Sequence, residues 1–210
     1  MNALHSSSRR LLESPIGRTP RWLLVAAALL LIPSYLSPLW TLTMFAPQYP
    51  EGLRLYIYSY RLDGGNHGQD VHEVNVLNHY IGMRDLSSAD FTEFKWIPFV
   101  VGALALLFLR AAVHGQLGHA LDVLVLYVYF AAFALWSFGF KLWTYGHNLS
   151  PQAAVHVDSF MPPIFGYKKL ANFEVYSYPG IASYMLAAVV VLLAIAFWLG
   201  WRQRDRGATL

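Results

Sequence analysis

Four apolar stretches, residues 22–43, 97–113, 121–144 and 179–201, leave this chain few ways to fold. A helix crosses a bilayer core with about 20 consecutive apolar residues, and each stretch is close to that length. The chain is 56% hydrophobic and only 13% charged, ordinary for a membrane protein and unusual for a soluble one. The sequence therefore predicts an all-α membrane protein with four transmembrane helices. The first is read as a helix kinked at Pro33 and Pro38. A signal peptide is set aside, because the run exceeds a typical h-region and no small-x-small cleavage site closes it. In the second stretch Pro98 falls in the first turn, where a missing N–H costs little.

Charge orients the spans. Arg9, Arg10, Arg18 and Arg21 precede the first, and Arg202, Arg204 and Arg206 follow the last, against Glu13 and Asp205. Taken together, the long segments 44–96 and 145–178 carry more acids than bases. The positive-inside rule places the tail 1–21, the turn 114–120 and the tail 202–210 in the cytoplasm, with both long loops outside. The expected setting is a bacterial inner membrane, crossed four times with both termini cytoplasmic. The bilayer is then the first partner, homo- or hetero-oligomers are open, and no nucleic acid is expected.

Short matches suggest an internal repeat. Leu39-Trp40-Thr41 closes the first span and Leu142-Trp143-Thr144 the third. Each is followed by a Met, a Pro and a strand-like run, residues 53–60 and 172–178, both containing Tyr-Ser-Tyr. The halves then read as two parallel span-loop-span repeats. The two strands are expected to pair in a small extracytoplasmic α+β cap, since one strand alone leaves backbone groups unsatisfied. Ser87 and Asp90 resemble a capping box for a further short helix over residues 87–94.

The chemistry concentrates in DVHEVNVLNHYIGM, residues 70–83. As a helix, Val74, Leu77 and Ile81 share one face, and His72, His79 and Met83 share the opposite one. Five histidines (His67, His72, His79, His147, His156) and three methionines (Met44, Met83, Met161) fall in the loops read as extracytoplasmic. Imidazole plus thioether without thiolate suits copper, Cu(I) above all. His72 and His79 are about 10.5 Å apart along a helix and do not share one ion, whereas His79 and Met83, one turn apart, can. His79 and Met83 are therefore the core metal candidates, with His72, His156 and Met161 completing the set. The alternatives are structural or partner-facing polar residues, or contact with haem or quinone.

Other chemistries are disfavoured. The chain has no cysteine, which removes disulfides, thiolate metal sites and the CxxCH attachment of covalent haem. No histidine sits mid-span to ligate a membrane haem, and no mid-span charge suggests a transport path. His114 and His119 read as solvated turn residues. GxSxG, HExxH and Gly-rich phosphate loops are missing, so no catalytic residue is assigned.

The segments MFAPQYPEGLRLYIYSY, DVHEVNVLNHYIGM, DFTEFKWIPF and HVDSFMPPIFGYKKL resemble a family of small bacterial inner-membrane proteins associated with nitrous oxide reductase accessory genes. That resemblance implies an accessory role in copper-site maturation or respiratory electron transfer, with a periplasmic copper or redox protein as partner. The leading expectation is a non-enzymatic protein whose periplasmic cap binds or delivers copper. A metal-free electron-transfer or docking subunit, or a structural anchor, is the alternative.

Overall fold

The computed structural model describes residues 12–170 and 172–207, which divide into two compact units. A helical unit takes in residues up to Pro33, Phe99–Ala132 and the chain from Tyr184 onwards; a sheet unit is Ser34–Pro98 with Phe133–Ser183.

Helix α1 (Arg18–Leu31) belongs to the helical unit. Helices α3 (Glu93–His114), α4 (Leu117–His147) and α5 (Ile181–Gly207) contribute residues to both units. Leu24, Ala27, Ala28 and Leu31 of α1 are buried, as are Leu104, Phe108, Ala111 and Ala112 of α3 and Val189, Leu193 and Ala196 of α5. These stripes follow helical spacing and are rich in small residues that let helix backbones approach closely. Opposite faces leave Leu29, Leu106, Val125 and Val191 exposed, so these helices are apolar all round. The Tyr127 hydroxyl donates to the Leu186 carbonyl at 3.0 Å, and its ring meets Phe108 edge-on.

Among the described residues, three helices are long and apolar enough to cross a membrane: Glu93–His114, Leu117–His147 and Ile181–Gln203. These contain the expected second and third spans and the fourth from Ile181 on, Pro179 being the last residue of a strand. The first expected span, 22–43, is not one helix, and this overturns the four-helix all-α fold. Helix α1 has 14 residues, about 21 Å of rise against a hydrocarbon core of about 30 Å. Pro33 lacks the N–H a continuing helix needs, and a 3₁₀ turn, Pro33–Tyr35, replaces it. Beyond Pro38 the chain becomes strand β1 (Trp40–Ala46). The turn expected at 114–120 is likewise shorter, since α4 already begins at Leu117 and contains His119.

The sheet unit holds a five-stranded antiparallel sheet: β1, β2 (Tyr49–Ile57), β3 (Leu62–Gly64), β4 (Gly166–Leu170) and β5 (Phe173–Pro179), in the order β3-β2-β1-β5-β4. The expected pairing of the two Tyr-Ser-Tyr strands does not occur, because β1 lies between them. Trp40 pairs with Ile57 on one side and Pro179 on the other. The parallel repeat fails with it. Trp40 opens a strand after two prolines, whereas Trp143 continues helix α4. Tyr58–Tyr60 follow β2, whereas Tyr176–Tyr178 lie inside β5.

Alternation puts Leu42, Met44, Leu53, Leu55 and Val175 on one buried face. Helix α2 (Gln69–Tyr80) packs there through Val74 and Leu77, with Ile81 just past its end. Entry into α2 uses left-handed backbone at Asn66, His67 and Gly68. Asp70, 2% exposed, then ties the helix to the sheet by accepting from the Arg54 N–H (2.8 Å) and the Asn66 amide (2.7 Å). These bonds satisfy a carboxylate that would be costly to bury unpaired. In place of the short helix expected over 87–94, a 3₁₀ turn (Ser88–Asp90) leads to α3, with Ser87 Oγ accepting from the Ala89 N–H.

Candidate functional site

The exit from α2 decides where the expected ligands point. Gly82, at φ +79°, turns the chain out of the helix. Its N–H donates to the His79 carbonyl (3.1 Å) and that of Met83 to the Asn78 carbonyl (2.8 Å), a Schellman motif that satisfies two terminal carbonyls. Met83 therefore lies beyond the helix rather than on its His72–His79 face. His72 and His79 are exposed on α2, while Met83 is half-buried and packs against the sheet core.

The other candidates lie in the second long loop. His156 is exposed, with Nε2 3.1 Å from the Pro151 carbonyl. Met161 is half-buried and its carbonyl accepts from Lys168 Nζ at 2.9 Å. His147 stacks on Trp143 at 4.4 Å between ring centroids. Among the described residues, no three His, Cys, Asp or Glu side chains gather as a metal site would need.

Met83 instead helps wall an apolar cavity of about 80 Å³. The sheet contributes Leu42 and Leu55, α2 contributes Val74 and Ile81, and α4 contributes Phe138 and Leu142. Nearly every surface is hydrocarbon, so the cavity favours an apolar guest over water, which needs several polar partners. Its polar groups are Asn78, Lys141 and Tyr145.

A fixed network surrounds the last two. Lys141 Nζ donates to the Asp90 carbonyl at 2.8 Å, lies 3.8 Å from Glu93 Oε2, and sits 5.3 Å from the Phe91 ring centroid. Glu93 Oε1 accepts from the Ser137 hydroxyl at 2.7 Å. The Tyr145 hydroxyl donates to Asp90 Oδ2 at 3.4 Å, and Arg84 pairs with Oδ1 of the same carboxylate at 3.4 Å. The ammonium is thus neutralised and oriented, which limits the cost of holding a charge beside hydrocarbon. No reacting pair of nucleophile and base emerges from this set. It can anchor the polar end of a guest.

Sequence reasoning passed over this cavity, because its walls come from segments far apart in the chain. One signal was present: Gly82 directly after an apolar-periodic helix marks a helix end, and so removes Met83 from the helical face. No protein-family model, curated protein or solved structure matches the chain.

Proposed function

We propose that this is a membrane-anchored binding protein whose sheet unit takes the end of a hydrocarbon chain into the cavity beside Met83. The observation that carries the reading is the lining itself, apolar side chains with Lys141 and Tyr145 as the cationic and phenolic groups among them. At about 80 Å³ the space is smaller than a benzene-binding cavity of about 150 Å³, so it suits one chain end rather than a ring system. Lipid chains are the most abundant apolar groups around helices of this composition.

The arginines at the two chain ends support a cytoplasmic placement of both termini and a periplasmic sheet unit in a bacterial inner membrane, a placement that requires the chain to cross between Arg18 and Trp40 as well as through α3, α4 and α5. The resemblance to nitrous oxide reductase-associated proteins adds a setting, service to a respiratory system, and rests on the quoted segments alone. Within that setting our reading takes up the metal-free docking alternative, with the cavity as the binding site. Copper delivery draws no support from an exposed His79 and an inward Met83.

The test is photolabelling in liposomes with a fatty acid carrying a diazirine at its chain end. Labelled peptides should include Met83 or residues 138–142, and Leu142→Trp, which fills the cavity, should abolish that labelling. Labelling confined to the outer faces of the long helices, unchanged in Leu142→Trp, would remove this function.

A further inference from the structure

We propose that one end of the helical unit, built from the first turn of α1 and the Gly115–Gln116 turn, binds the phosphate of an anionic membrane phospholipid. The idea rests on the membrane reading of the long helices and is independent of the cavity. Residues 14–17 are fastened across that end. The Ile16 N–H donates to the Gly115 carbonyl (2.8 Å), the Leu117 N–H to the Ser14 carbonyl (3.0 Å), and the Gly17 N–H to Gln203 Oε1 (2.9 Å). The start of α1, the α3–α4 turn and the last part of α5 therefore meet.

Cations collect there. Arg18 and Arg21 lie on α1, Arg110 one turn before the end of α3, and Arg202 near the end of α5. His114 and His119 flank the turn with ring centroids 4.9 Å apart. The acids nearby are exposed: Glu13, and Asp122, 4.0 Å from His119 Nδ1. Among the described residues, no carboxylate pairs with Arg18, Arg21 or Arg110.

Two further observations point to a lipid phosphate. The Arg21 guanidinium lies against Gly115, where a side chain could not fit, and this contact covers its Nε–H. That contact fixes the guanidinium in one place while the residue as a whole stays part-exposed, so the fork is held ready for an acceptor from outside the chain. Exposed Trp22, Trp198 and Trp201 stand at the same end, with Arg202 5.3 Å from the Trp198 ring centroid. Indoles of this kind sit at headgroup depth. A guanidinium fork there matches a phosphodiester in both charge and shape.

The test is native mass spectrometry of the protein released from nanodiscs of equimolar phosphatidylglycerol and phosphatidylcholine. Wild type is expected to retain phosphatidylglycerol by about fivefold or more, the effect of one headgroup-level arginine. Arg21→Gln should bring the ratio close to one, with circular dichroism showing that it folds. If it does not fold, the exposed pair Arg18→Gln/Arg110→Gln should lower the ratio instead. Equal retention of both lipids by wild type, or an undiminished preference in the folded variants, would overturn the proposal. So would loss of the preference on adding inorganic phosphate, which would assign the site to the free ion.

Discussion

The Met83 N–H donates to the Asn78 carbonyl across 2.8 Å, and this bond sends Met83 inward while His79, four residues earlier, stays outside. The turn depends on Gly82, at φ +79°. A Cβ there would also lie 2.8 Å from the Ser150 carbonyl oxygen and 2.9 Å from the Ala153 Cβ. Gly82→Ala should therefore cost about 2 kcal/mol or more, from left-handed strain and the clash together. A melting temperature equal to wild type would contradict the assigned role.

The same corner separates two variants that a copper site would unite. Met83→Trp is expected to reduce chain labelling in the cavity sharply, whereas His79→Ala should leave labelling and stability unchanged. Copper(I) titration of His79→Ala, Met83→Ala and wild type completes the comparison. Near-stoichiometric copper in wild type that disappears in both variants would restore a metal site and displace the cavity reading.

His67 holds left-handed backbone at φ 58° with its side chain exposed. Glycine adopts that conformation without the Cβ penalty, though it loses more entropy on folding. His67→Gly is expected to stabilise the protein by about 0.5–1 kcal/mol. A lower melting temperature would show that the imidazole makes a contact worth more than the strain.

Alkaline pH should weaken the join between β2 and α2. The Tyr49 hydroxyl donates to the Glu73 carboxylate. That hydrogen bond first, then burial and the carboxylate charge, raise the phenol above its ordinary pKa. A group with a raised folded pKa contributes fully below its unfolded value, about 10 for tyrosine, and loses the contribution as pH climbs through the folded value. Above that point the melting temperature of wild type should fall more steeply than that of Tyr49→Phe. Parallel curves would mean the pair adds nothing.

Topology can be read with single cysteines, since the chain has none of its own. In intact cells, Ser159→Cys in the sheet unit should react with a membrane-impermeant maleimide. Asp122→Cys, beside the α3–α4 turn, should react only after permeabilisation. The reverse pattern would invert the orientation inferred from the arginines.

Three of the four expected spans fall in helices long and apolar enough to cross a membrane, legible because length and composition suffice for such a helix. The buried face of α2 was legible too, since Val74, Leu77 and Ile81 follow the helical period and are buried. Residues 33–46 were not, because a hydropathy window does not distinguish a buried strand from a helix. Thr41 and Thr43 alternating with Leu42 and Met44 carried the strand signal, and the prolines before them marked the break. The expected metal set assumed that α2 ran through Met83, and Gly82 ended it sooner. The cavity was out of reach of any pattern, because it is a property of how the sheet, α2 and α4 close on one another.

The central position of β1 also sets an order of events during synthesis. Its neighbour β5 is made late: Trp40 donates its indole N–H to Ser177, 137 residues further on. While α3 and α4 emerge, β1 can pair with β2 but has an open edge on its other side. An open edge invites pairing with the wrong strand, and contacts of such long sequence separation form slowly. Ribosomes stalled before residue 173 would thus hold a nascent protein vulnerable to proteases and aggregation, and completion of β5 would be the step that locks the sheet.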